Sequence, residues 1–415
     1  MRSPLPLLTL SALSLFSISL ATPFANLHHL PRQQQSSPQT LINPKHPQDT
    51  PSAVQYISTS TSFDGPKVIP VNESTFEWWY FDVVQPLTHT QGDDDEEIGT
   101  NQPSIAITFH STGINGFDPL TSLFPFSTPP SGNLIQINLA WGNGKTDAWV
   151  LVAEEAIITT SKDGNGASGD WRGSGGSFSG DAEMRVYSVE INAPEKGIVG
   201  RIVVESESPA HYPCGPAEAG QNMQVIPGVG WANAIPDGTG VAEFTIRGDE
   251  EFRVEGRGYH DHNYGSRPFS TSASSAYWGH GRIGGYNIVW LSVLPVVGEE
   301  SVSAYVSKSP DGGPTSTDHS DAEVLLASCS DILIRPYGAN SSYPPDTTTG
   351  APSGYQIQVE VPGEGLLEIV AERVYTQVDF DFYRRFTGVL RGRLDGVELG
   401  EGVGLWEQFA LGEGS

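Results

Sequence analysis

From Phe76 onward the chain repeats one pattern. Short runs rich in β-branched and aromatic residues are cut by Gly, Pro, Asn and Asp, and no stretch sustains a 3.6-residue apolar period. After the strand-like run 76–84, the first set comprises 104–109, 134–141, 148–153, 184–191, 197–206 and 241–247. A second set follows at 286–294, 301–307, 323–334, 355–361, 366–371, 380–394 and 399–409. The 47 glycines and 31 prolines supply the turns. This spacing predicts an all-β protein, with a β-sandwich in the first half and an up-and-down β-barrel in the second. A chain of 415 residues exceeds what one core usually organises. Two domains are therefore expected, at 61–266 and 267–415.

The ends and the charge bound the remaining options. Arg2 precedes an apolar run, Leu5 to Leu20, with small residues at Ser19 and Ala21. This predicts a signal peptide over 1–21, hence the secretory pathway and no stable membrane association after cleavage. Residues 22–60 are rich in Pro, Gln and Ser and read as a flexible lead-in. The net charge of −27 argues against nucleic acid as a partner. The acidic run Asp93 to Glu97 reads as a solvated loop, and 164–180 as a long hairpin end or a lid. The two cysteines, Cys214 and Cys329, are either a disulfide across the domain boundary or two buried thiols. Asn72 and Asn340 head glycosylation sequons.

The densest polar run is Arg257-Gly258-Tyr259-His260-Asp261-His262-Asn263-Tyr264-Gly265. On a strand, His260 and His262 share one face, and Tyr259, Asp261 and Asn263 the other. Two imidazoles on one face suit a metal, a proton relay or a hydrogen-bonded anchor. A metal needs a third ligand, and no spacing rule links His110 or His280 to the pair, so no metal site is expected. No Gly-x-Ser-x-Gly elbow, P-loop or dinucleotide fingerprint occurs, which excludes the commonest nucleophilic and redox enzymes. The large aromatics, among them Trp78, Trp79, Tyr80, Trp231, Tyr277, Trp278, Trp290, Tyr383 and Trp406, are either core or the lining of an apolar pocket. Glu407, next to Trp406, sets a carboxylate near such a pocket.

Five segments stand in a set order. They are Glu77-Trp78-Trp79-Tyr80-Phe81-Asp82, Gly258 to Gly265, Tyr277-Trp278-Gly279-His280-Gly281-Arg282, Arg385-Phe386-Thr387-Gly388 and Gly404-Leu405-Trp406-Glu407. With them, residues 60–415 resemble the hydroxyneurosporene-synthase-like group of two-domain lipocalin-like proteins, and within it the fungal Diels-Alderases. The resemblance implies a lipocalin-like C-terminal barrel and a substrate cleft between the domains. It implies a cofactor-free intramolecular [4+2] cycloaddition of a polyene carrying a tetramic acid or pyrrolone. The products are decalins or the isoindolone of cytochalasan-type compounds, and a polyketide synthase–peptide synthetase hybrid is the pathway partner. Such a reaction needs a held conformer and donors aimed at a conjugated carbonyl. The expected catalytic residues are Tyr80, His260, His262, Asn263 and Glu407. The expected substrate contacts are Glu77, Trp78, Asp82, Trp278, Trp290, Tyr383 and Trp406. Acid-catalysed epoxide cyclisation or alkene hydration is the alternative, with Glu77, Asp82, Asp261 or Glu407 as the proton donor. A non-catalytic lipocalin-like carrier is the third.

Overall fold

The computed structural model describes residues 40–90, 99–119, 130–161, 164–309 and 322–412. The predicted signal peptide, the start of the lead-in and the Asp93–Glu97 run lie outside them. Strands dominate, and there is no α-helix among the described residues. One large sheet takes most strands up to Gly265, two small two-stranded sheets take four others, and a nine-stranded sheet takes those from Ala273 onward. Phe269–Thr271 makes a short 3-10 turn between the two.

The large sheet has the strands Val229–Ile246, Glu250–Gly265, Phe76–Val84, Ser104–Thr112 and Asn133–Ala140 side by side, all antiparallel. It curls so that Trp79, Phe81, Ile107 and Phe109 meet Trp171, Phe178 and Tyr187 of more distant strands in one apolar core. The Gly/Ser-rich stretch 164–180 is not a lid. It forms two paired strands, Ala167–Arg172 and Gly176–Gly180, and buries Trp171 and Phe178. The described end of the lead-in, from Thr40, is ordered, against what its composition suggests. Thr40–Pro44 pairs with Glu155–Thr160, and the Asn43 side chain donates to Ser111. A strand edge and a buried hydroxyl give this polar segment its partners; no apolar period announces it.

The nine-stranded sheet curls around a second core containing Trp290, Tyr355, Phe386 and Trp406. Gly279 makes room for it, because a Cβ there would lie 2.3 Å from the Trp290 ring and 2.6 Å from Trp406 Cβ. A third apolar cluster lies between the sheets. Polar ties cross the same boundary. Arg257 and Arg282, from opposite sheets, both pair with Asp237 and Glu207. Cys214 and Cys329 are joined as a disulfide with Cα atoms 4.7 Å apart.

A candidate active site between the two sheets

Strand alternation decides which side chains can meet a ligand. On Phe76–Val84, the residues Glu77, Trp79, Phe81 and Val83 are fully buried, and the last three belong to the core of the large sheet. Trp78 and Tyr80 project the other way and line a cavity against the nine-stranded sheet. On Glu250–Gly265, Asp261 and Asn263 share that outward face, and the register sets them opposite Tyr80 and Trp78. From the nine-stranded sheet come Trp278, Tyr383, Arg385 and Glu407. Trp278 and Arg385 both stand beside Glu407 in the ladder. Together with the open solvent at its mouth, the cleft spans about 1010 Å³. Its walls are chiefly apolar, with Phe117, Phe269 and Phe409 beside the tryptophans. A few convergent polar groups in such walls are usual for a small-molecule site.

Two polar groups stand in that apolar wall. The first is built on Asp261. Its Oδ2 accepts from Trp231 Nε1 at 2.8 Å and from the Tyr259 hydroxyl at 2.9 Å, and its Oδ1 accepts from Asn263 Nδ2 at 2.7 Å. Burial pushes this carboxyl up to about 7, against the hydrogen bonds from Trp231 and Tyr259 that pull it down. A cavity-lining carboxyl therefore ionises only near neutral pH. The second group is built on Glu407. Its Oε1 accepts from the Tyr383 hydroxyl at 2.6 Å and from Arg385 Nε at 2.8 Å. Arg385 Nη1 donates to Asn138 and Gln377 at 3.3 and 3.2 Å, and the guanidinium carbon lies 5.1 Å from the Tyr80 ring centre.

Behind the lining, the Tyr80 hydroxyl donates to Asp82 Oδ2 at 2.8 Å, and His280 Nε2 lies 2.9 Å from the same oxygen. Burial raises the phenol of Tyr80 well above its usual range, so it stays protonated. His110 lines the cavity as a neutral imidazole, because burial lowers it to about 3.

Of the expected catalytic residues, the structure brings Tyr80, Asn263 and Glu407 together on the cavity wall. It does not bring His260 or His262. Both point into the core of the large sheet, where His260 stacks on Phe81 and His262 on Trp79. Their nitrogens meet Asp64 at 3.1 Å and Glu77 at 2.9 Å. The two expected catalytic histidines are therefore turned away from the cavity, and the alternate face of the strand presents Asp261 and Asn263 to it. The same parity moves Glu77 out of the expected substrate contacts. Trp78, Trp278 and Tyr383 do line the cavity. Asp82 supports Tyr80 from behind, and Trp290 and Trp406 are core. Asn72 is half-buried, its amide donating to the Thr50 carbonyl, while Asn340 is exposed. Among the described residues no group of three or more His, Cys, Asp or Glu has the arrangement of a metal site.

Sequence reasoning attached no site role to Arg385, Trp231 or His110. The first stood only in a motif, and Trp231 only in the list of aromatics. Parity from a lining residue finds Arg385, two positions from Tyr383, while His110 and Trp231 follow only from the ladder register, opposite Trp78 and Asn263.

Comparison with known proteins gives a consistent family. The Diels-Alderase-like family model matches residues 127–309. The quinolone epoxide rearrangement protein asqO of Emericella nidulans is 33% identical over 366 residues, covering 87% of this chain and 91% of that protein. The quinolone epoxide rearrangement protein penF of Penicillium thymicola is 29% identical over 380 residues, 89% of this chain and 95% of that one. Among solved structures, CghA with Sch210972 superposes with a TM-score of 0.67 at 17% identity, covering 91% of this chain and 100% of that one. Kievitone hydratase from Nectria haematococca gives 0.50 at 12% identity, covering 89% and 99%. These two likenesses concern the fold.

Proposed function

The chain belongs to the Diels-Alderase-like family, and on that premise we propose that it is an enzyme that opens and rearranges the epoxide of a quinolone-type small molecule by acid catalysis. The observation that carries this reading is Asp261, a cavity-lining carboxyl raised to about 7. The names of the two full-length relatives supply the substrate class.

The chemistry balances without an added reagent. Asp261 gives its proton to the epoxide oxygen as a C–O bond breaks. Positive charge develops on the released carbon, and the faces of Trp78, Trp278 and Phe117 are suited to stabilise it. The new carboxylate is met by donors already in place on Trp231, Tyr259 and Asn263. Loss of a proton from the rearranged cation returns it to Asp261, so the reaction is an isomerisation. The apolar walls keep out water that would trap the cation as a diol.

The test is incubation with a synthetic quinolone epoxide, followed by mass spectrometry and NMR of the product. A rearranged isomer from the wild type, and its loss in Asp261→Asn, are expected. Recovery of unchanged epoxide from the wild type would refute the reading.

A second reading rests on the family match itself. It is a [4+2] cycloaddition of a polyenyl tetramic acid or pyrrolone in the same cavity, with a polyketide synthase–peptide synthetase hybrid upstream. It makes Asp261 dispensable as an acid, so a linear polyene cyclised equally by wild type and Asp261→Asn would favour it. Passage through the secretory pathway, with cleavage near Ala21 and glycosylation at Asn72 or Asn340, belongs to the same proposal. The Cys214–Cys329 disulfide suits an oxidising compartment.

A further inference from the structure

The second polar group of the cavity has an open edge. Arg385 Nε and Glu407 Oε1 are joined at 2.8 Å, and Tyr383 adds a second donor to that oxygen. Arg385 Nη1 is engaged by Asn138 and Gln377. The other two atoms, Arg385 Nη2 and Glu407 Oε2, hydrogen-bond to no described residue. Neither atom is fully sealed from the surrounding space. The two side chains keep 4% and 10% exposure, and both line the cavity.

A polar atom in an apolar wall is costly unless a ligand supplies its partner. Here a donor and an acceptor stand on one ion pair whose inner edge is already satisfied. A guanidinium presents its N–H groups in a fixed fork, so the outward N–H direction is set by the inner contacts. The complement of such an edge is a group that offers an acceptor and a donor side by side. In a small heterocycle, that group is a cyclic secondary amide, whose C=O and N–H are held cis by the ring. A carboxylate ligand fits worse, because Glu407 would repel it. A ligand with only a carbonyl leaves Glu407 Oε2 without a donor.

We infer that the Arg385–Glu407 pair is the docking edge for a substrate lactam, with Arg385 donating to the lactam carbonyl and Glu407 accepting from the lactam N–H. This deepens the proposed function and rests on it for the heterocycle class. It assigns the two residues to positioning, while Asp261 on the other sheet does the chemistry. It also explains why the ion pair sits on the wall and not in the core.

The test uses binding alone, so it stands or falls separately from epoxide turnover. Isothermal titration compares 2-quinolone with N-methyl-2-quinolone, in which a methyl group replaces the N–H hydrogen. The wild type is expected to prefer 2-quinolone by about tenfold or more. In Glu407→Gln, the amide oxygen turns to the donors of Tyr383 and Arg385, so its NH₂ faces the ligand N–H. The preference should then vanish or invert, while retained binding of N-methyl-2-quinolone shows that the cavity is intact. Equal affinity of the wild type for the two quinolones would overturn the inference. So would a preference that survives Glu407→Gln, or failure of the wild type to bind either compound.

Discussion

The Glu250–Gly265 strand carries two faces with opposite fates. One face presents His260 and His262 to Asp64 and Glu77, with Lys67 beside them, all within the core of the large sheet. The other presents Asp261 and Asn263 to the cavity. Both faces are buried, both are polar, and both contain carboxyls. Burial raises Glu77 as it raises Asp261, so a perturbed carboxyl does not by itself mark a site. What separates the faces is space. The histidine face is packed against aromatic rings, with His260 and Phe81 centroids 4.0 Å apart. The aspartate face opens on a volume that can hold a ligand.

Substitutions should split along this line. The largest effect belongs to the packed face. Glu77→Ala leaves His262 without its 2.9 Å partner and removes the carboxyl beside Lys67. Breaking a buried polar pair on one side typically costs about 3–5 kcal/mol, and a loss of that size is expected in urea unfolding. A loss below about 1 kcal/mol would show that the network is not structural. Next comes Asp261→Asn, expected to lower turnover of a quinolone epoxide by about 100-fold or more while the fold persists. Equal loss of stability in both variants would erase the distinction between the faces.

The pH dependence of stability sharpens it further. Asp261 is raised in the folded state from 3.8 to about 7. Its contribution to stability is therefore fully present below about pH 4 and lost as pH rises through about 7. The slope from this group is at most roughly 1.4 kcal/mol per pH unit. Asp261→Asn removes that loss, so its stability relative to wild type should rise between pH 5 and 8 in chemical denaturation. An unchanged difference across that range would mean that the carboxyl is not held protonated. The smallest effect is expected from Trp278→Phe, which keeps an aromatic face on the cavity and drops an N–H with no hydrogen-bond acceptor among the described residues. Turnover should fall by less than about tenfold, and a complete loss would give Trp278 a donor role.

Much of this architecture is legible in the residues themselves. Runs such as Ile105-Ala106-Ile107-Thr108-Phe109, cut by glycine and proline, have no stable alternative to strands. Parity divides Tyr259, Asp261 and Asn263 from His260 and His262 before any coordinates are known. Parity does not say which face is outside, because that depends on which sheet covers the strand, a long-range fact. Thr40–Pro44 escaped notice because its support is a sheet edge more than 100 residues away in sequence. Trp290 and Trp406 looked like pocket walls because composition cannot separate a ring packed over Gly279 from one facing a ligand. Arg385 and Glu407 lie on neighbouring strands, and only the ladder register brings them together.

The proposed reaction turns on one group, the carboxyl on the open face of this strand, as the acid. The pH profile of kcat/KM for a quinolone epoxide isolates it. Activity should be level at low pH and fall tenfold per unit above an apparent pKa near 7, with that limb absent from the residual activity of Asp261→Asn. A profile flat from pH 5 to 9, or a limb near 7 that persists in Asp261→Asn, would contradict it.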